Sequence, residues 1–267
     1  MITKKSKSFF TYAAAGCAVL AALGGFTLPV IAQPIAVPNG SMESQSGVGQ
    51  PFGVNVLVDS WEKPSRPAYF ESVETNYSIF WIQTAGAFVD SNTPYANLHG
   101  SQAGYLLSFP QVALFQDYET RDWNDGEPTH EFNAIYEAGK AYQLTVGVFG
   151  KNMTEGSMFN LSLYYRDAQS SMVPVSSTTI TYQAANFPSA QPRNLVDYQV
   201  NVPTVLANDA WAGKHIGIKL ESTFGYGDGY WDFDNVRLAA IPEPGSLVLL
   251  ASGLGCLVWW SRTRRRA

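Results

Sequence analysis

Along most of this chain apolar and polar residues alternate one by one. Tyr142, Leu144, Val146 and Val148 are separated by small or polar residues, as are Phe159, Leu161, Leu163 and Tyr165. The same beat returns at Ile216, Ile218 and Leu220, at Phe52, Val54, Val56 and Val58, and at Val196, Tyr198, Val200 and Val202. A period of two puts one side of an extended strand in the core and the other in water. Gly, Pro, Asn and Ser clusters separate these runs, and no amphipathic helix longer than a turn or two stands out. Several such strands in roughly 200 residues predict an all-β body, a β-sandwich most simply wound as a jelly roll.

Both ends break the alternation. At the front, Lys4, Lys5 and Lys7 precede an apolar stretch from Phe9 to Phe26, and Val30-Ile31-Ala32 offers a small-residue cleavage site before Gln33. Residues 1–32 therefore read as a secretory signal peptide. Cys17 resembles a lipoprotein attachment site, although it comes early in the apolar run. At the other end, Leu247 to Trp260 carries no charge and is followed by Arg262, Arg264, Arg265 and Arg266. As a helix this run rises about 21 Å at 1.5 Å per residue, against a hydrocarbon core of about 30 Å. The pattern reads as a short transmembrane helix with its arginines on the cytoplasmic side; the alternative is a buried terminal helix.

Charge then limits what the body between them can bind. The chain has 17 Lys+Arg, of which three lie in the front segment and four in the tail, leaving ten. Of the 22 Asp+Glu only Glu243 lies outside, leaving 21 and a formal net charge of −11. Such a surface repels phosphate backbones, so nucleic acid is not an expected partner. Both cysteines, Cys17 and Cys256, fall in the end segments, so the body holds no thiol chemistry and no disulfide.

Pro242-Glu243-Pro244, a short apolar helix and a terminal arginine cluster together resemble the PEP-CTERM sorting signal. The resemblance implies three segments: the signal peptide 1–32, a body 33–240, and a sorting signal 241–267. It also implies exosortase as processing partner and the inner membrane as a tether in transit. The destination would be the cell surface or extracellular matrix of a Gram-negative bacterium.

Within the body, Asn39-Gly-Ser-Met-Glu43 and Trp231-Asp-Phe-Asp-Asn-Val-Arg-Leu238 resemble the opening and closing motifs of the galactose-binding-like jelly roll found in many carbohydrate-binding modules. Glu137-Ala-Gly-Lys-Ala-Tyr-Gln-Leu-Thr-Val146 and Ala212-Gly-Lys-His-Ile-Gly-Ile218 resemble two of its inner strands. That family implies a structural calcium ion held by the carboxylates of Glu43 and Asp234 with backbone oxygens, hard ligands that suit the ion. The residues add their own hint. Trp231 and Phe233 alternate in one phase and Val236 and Leu238 in the other, so the strand slips at Asp234-Asn235 as a bulge would make it.

Sugar recognition would use exposed aromatic rings. Trp61, Trp81, Trp123, Trp211, Tyr226 and Tyr230 are the candidates, with Trp81 set in an apolar run and expected in the core. Trp123, in the polar run Arg121–Glu127, leads, followed by Tyr226 and Tyr230 in a glycine-rich loop expected to be flexible. No helix follows that loop to make it a phosphate cradle. The histidines His99, His130 and His215 lie far apart without metal-ligand spacing, and no serine-nucleophile motif is present. The expectation is a non-catalytic surface or matrix protein associated with extracellular polysaccharide; the alternative is a tethered glycoside hydrolase, since paired carboxylates cannot be read from sequence.

Overall fold

The computed structural model describes residues 32–44, 54–89, 95–121, 126–188 and 193–242. Nearly all of the predicted signal peptide and of the sorting signal, and Trp123, lie outside the described residues. Among the described residues no helix is long and apolar enough to cross a membrane. One compact unit runs from Ala32 to Ile241.

That unit is a β-sandwich of two antiparallel sheets, in keeping with the period-two pattern. The strands are β1 (Gln33–Ile35), β2 (Val54–Asn55), β3 (Ala85–Val89), β4 (Gln102–Leu107), β5 (Val112–Gln116), β6 (Lys140–Lys151), β7 (Met158–Arg166), β8 (Met172–Thr181), β9 (Val196–Val202), β10 (Gly217–Phe224) and β11 (Tyr230–Pro242). The larger sheet runs β2-β3-β4-β11-β6-β9, with β1 also paired to β11; the smaller runs β5-β10-β7-β8. A two-turn helix, α1 (Phe70–Tyr77), lies between β2 and β3 and ends where Ser78 turns left-handed.

The alternating sets face inward as their spacing requires. Tyr142, Leu144, Val146 and Val148 of β6 meet Phe159, Leu161 and Leu163 of β7 and Ile218 and Leu220 of β10 in one core. The run around Val54 departs from expectation. Among the described residues its strand ends at Asn55, whose side chain accepts the Leu57 amide at 2.9 Å and turns the chain out of the sheet. β7 keeps its alternation to the end, with Tyr165 packed against the core; the extra residue in its pairing with β8 is Val175, and Tyr164, on the outer side of the smaller sheet, is buried across Gly217. Where the two sheets meet at one edge, Ser176 and Thr178 of β8 donate their hydroxyls to the carbonyls of Asn201 and Gln199 on β9.

β11 carries the phase slip expected at Asp234-Asn235. Asn235 is left-handed, with φ of 55°, and Val236 and Leu238 return to the core beyond it.

Candidate functional site

Trp231 and Phe233 point from β11 into the core, so Tyr230, Asp232 and Asp234 point to the outer face of the larger sheet. There both aspartates would meet water, yet each is fully buried. The cover is the segment Tyr95–Gln102, which crosses this face and is fastened at successive points. The Tyr95 hydroxyl donates to Asp232 Oδ2. Asn97 exchanges two hydrogen bonds with the Leu195 backbone, each 2.8 Å. The His99 amide donates to Asp234 Oδ2 at 2.7 Å, and the Ser101 and Gln102 amides donate to Glu43 Oε1 at 2.7 and 2.6 Å. Gly100 permits the approach: its φ is +102°, and a Cβ there would lie 2.4 Å from Glu43 Oε1.

The strap divides the face into two neighbouring groups. At the first, Tyr95 is 3% exposed and Arg193 5% exposed. The Arg193 guanidinium lies over the Tyr95 ring at 5.1 Å and over Phe149 at 5.8 Å. Phe149 in turn meets Tyr95 and Phe187, and Phe187 meets Trp231. Asp232 thus stands in a dry, aromatic setting with a tyrosine hydroxyl aimed at its carboxyl group.

The second group is the pair expected for calcium, Glu43 and Asp234. Burial pushes Asp234 up to about 7, the Glu43 charge adds to this, and the His99 and Asn235 amides oppose it. Asp234 Oδ1 is buried without a partner among the described residues, and so is Gln102 Oε1. An acid held this way, with a second carboxylate near it, suits a hard divalent cation. Among the described residues no group of three or more acidic, histidine or cysteine side chains converges. Backbone and amide oxygens would therefore have to complete a calcium shell.

The aromatic candidates fare differently. Trp61 is buried, Trp81 and Trp211 are half-buried against the core, and Trp81 donates its indole N–H to the Pro64 carbonyl. Tyr226 is 59% exposed and packs edge-on against Phe224, while Tyr230 is half-buried under the Lys151 ammonium. Their loop is pinned rather than free. Ser108 and Thr154 donate hydroxyls to Asp228, and the Gly227 amide donates to the Ser108 carbonyl.

The histidines are also closer than the sequence implied. His130 and His215 stack on Tyr118 with ring centroids 4.1 Å away in each case. The tyrosine ring separates them, so the stack offers no shared metal position. A second Tyr–Asp–Arg group, Tyr164, Asp117 and Arg166, lies on the smaller sheet; the Glu119 amide completes its hydrogen bonding, which marks it as structural.

No protein-family pattern matches the chain, and no curated protein matches it in sequence. Among solved structures the fold is similar to the Stig cyclase Fisc from Fischerella sp. TAU in complex with (3Z)-3-(1-methyl-2-pyrrolidinylidene)-3H-indole. Identity is 15%, the match covers 79% of this chain and 99% of that one, and the TM-score is 0.52. The apo form of a cyclase from Fischerella sp. matches at 16% identity, 79% and 97% coverage, and a TM-score of 0.51. The CBM22-1 xylan-binding domain of Paenibacillus barcinonensis Xyn10C reaches only 0.37, at 10% identity over 59% of this chain and 82% of that one.

These matches correct the functional expectation. The reading of a non-catalytic, polysaccharide-associated body, and its glycoside hydrolase alternative, rested on an architecture taken as that of sugar-binding modules. The same architecture is matched over almost the whole of cyclases, so it no longer points to polysaccharide. The expectation that the body is not an enzyme, argued from missing metal-ligand and nucleophile motifs, stands beside a fold likeness to enzymes at 15 and 16% identity.

Proposed function

We propose that the body is a small-molecule enzyme of the cyclase kind, working at Asp232. The observation that carries this is a solvent-shielded carboxyl group, oriented by the Tyr95 hydroxyl and bordered by Phe149 and the Arg193-stacked Tyr95 ring. Acid-promoted ring closure conserves atoms: a proton is added at one position of an unsaturated substrate, a new bond forms, and a proton leaves from another. One carboxyl group that gives a proton and takes one back can serve both steps, and a dry site strengthens its effect. Tyr95 fixes the direction of the carboxyl and stabilises its anion. Asp232, Tyr95 and Phe149 are all buried, so a substrate reaches them only when the Tyr95–Gln102 segment lifts.

The Fisc complex makes indole compounds the first probes. The purified body would be titrated with the indole ligand named above, followed by small indoles bearing an alkene. Binding retained and turnover lost in Asp232→Asn is the expected result. Absence of both binding and turnover in the wild type across that panel would end the proposal.

The reading includes three further parts. The strands are wound as a jelly roll, supported by β1 pairing with the last strand and by β11 lying between β4 and β6. Calcium held by Glu43 and Asp234 staples β11 and the strap to the opening segment; the unpartnered Asp234 oxygen supports it. The front segment exports the protein, and exosortase processes it near Pro242-Glu243-Pro244 while the apolar tail and Arg262, Arg264, Arg265 and Arg266 hold it in the inner membrane; the order of those sequence parts supports it. Intact mass in wild type and in an exosortase deletion tests the last part. A tail retained in both strains would refute it.

A further inference from the structure

We infer that Asn76 is an acceptor for an asparagine-linked oligosaccharide, a reading that rests on the proposed export. Four Asn-x-Ser/Thr triplets occur among the described residues: Asn76-Tyr77-Ser78, Asn152-Met153-Thr154, Asn160-Leu161-Ser162 and Asn39-Gly40-Ser41, the last half-buried with its Asn39 amide nitrogen already donated to the Asp59 carbonyl at 2.8 Å. The fold separates them. Asn160 lies within β7, where Leu161 is fully buried and Ser162 is 5% exposed. At the second, Met153 is buried and the Thr154 hydroxyl is donated to Asp228. Only the first presents all three residues to solvent, at the end of α1 where Ser78 has already left the helix in a left-handed turn. Glu74, two residues before Asn76, gives the triplet the acid-preceded form Glu-Thr-Asn-Tyr-Ser.

A second observation points to the same place. Tyr77, Phe80 and Ile82 are 70, 52 and 51% exposed, and they follow the acceptor directly. The C–H faces of a sugar attached at Asn76 would lie beside these open apolar side chains. The occupant is the oligosaccharide itself, covalently placed. In the reaction the Asn76 carboxamide nitrogen attacks the anomeric carbon of a polyprenyl-diphosphate-linked oligosaccharide. The C–N bond forms, the bond from that carbon to the diphosphate oxygen breaks, the polyprenyl diphosphate leaves and one amide proton is lost. No electron transfer is involved.

The test is intact mass and peptide mapping of the protein recovered from the envelope and medium of the cells that make it. The expected result is a leader-free chain heavier than its polypeptide by whole sugar residues on the Asn76 peptide. The increment should vanish in Asn76→Gln and Ser78→Ala and persist in Asn152→Gln. A leader-free chain with the bare polypeptide mass overturns the glycan and leaves export standing. A chain still carrying its leader overturns both.

Discussion

Replacing Asp234 by asparagine should stabilise the chain strongly in chelator and far less in calcium. The native carboxyl is pushed from 3.8 to about 7, mainly by burial, so the folded chain holds its proton more tightly than the unfolded chain. Between these values the folded state binds more protons, and stability falls as pH rises; above about 7 the full cost is present. At ~1.36 kcal/mol per pH unit, the span from 3.8 to about 7 corresponds to about 4 kcal/mol. Asparagine cannot ionise and still offers the His99 amide an acceptor. In chelator at pH 8, Asp234→Asn should therefore melt above the wild type. For a domain of about 210 residues each kcal/mol is worth roughly 2–4 °C, which puts the rise at about 8–16 °C. The gap should close as pH falls toward 4. Calcium should then raise the wild type, by about 2.7 kcal/mol at a hundred times its dissociation constant, and leave the variant unmoved. Calorimetry over pH with chelator or calcium decides it. Identical melting of both proteins in chelator at pH 8, with equal shifts on adding calcium, would refute the buried charge and the ion site together.

Other outcomes follow from the same geometry. Tyr95→Phe removes a donor from the buried Asp232 carboxyl and should cost about 1–3 kcal/mol in urea unfolding, with the fold retained by circular dichroism. Gly100→Ala forces a Cβ against Glu43 at a φ of +102°, and should lower the melting temperature and weaken the calcium response together. Leu161→Ala, in the fully buried centre of β7, should cost about 2–5 kcal/mol in the same assay without altering calcium binding.

What the sequence revealed and what it hid divide along physical lines. Side-chain alternation is local, so β6, β7, β9 and β10 were legible, and the slip of phase at Asp234-Asn235 announced the bulge before any coordinates. The end of the strand at Asn55 was not, because a side-chain hydrogen bond within two residues overrides the apolar pattern that continues to Val56 and Val58. Tyr95 and Asp232 stand 137 residues apart and meet only through the strap, so no spacing could have joined them. The strap itself is anchored by backbone amides, which every residue has and which leave no mark on composition. Aromatic residues misled for the opposite reason: a tryptophan reads the same whether it fills a core, as Trp61 does, or faces solvent.

The last strand of the body is also a central one. β11 lies between β4 and β6 and pairs with β1, so the larger sheet stays in two halves until the final residues of the body have been made. Until then β4 lacks the neighbour it meets through Phe233 and Trp231, and the strap has neither Asp232 nor Asp234 to fasten to. Folding is therefore timed by chain length: a nascent chain cut short before Tyr230 holds every strand of the smaller sheet but cannot join the halves of the larger one, so the sandwich closes late.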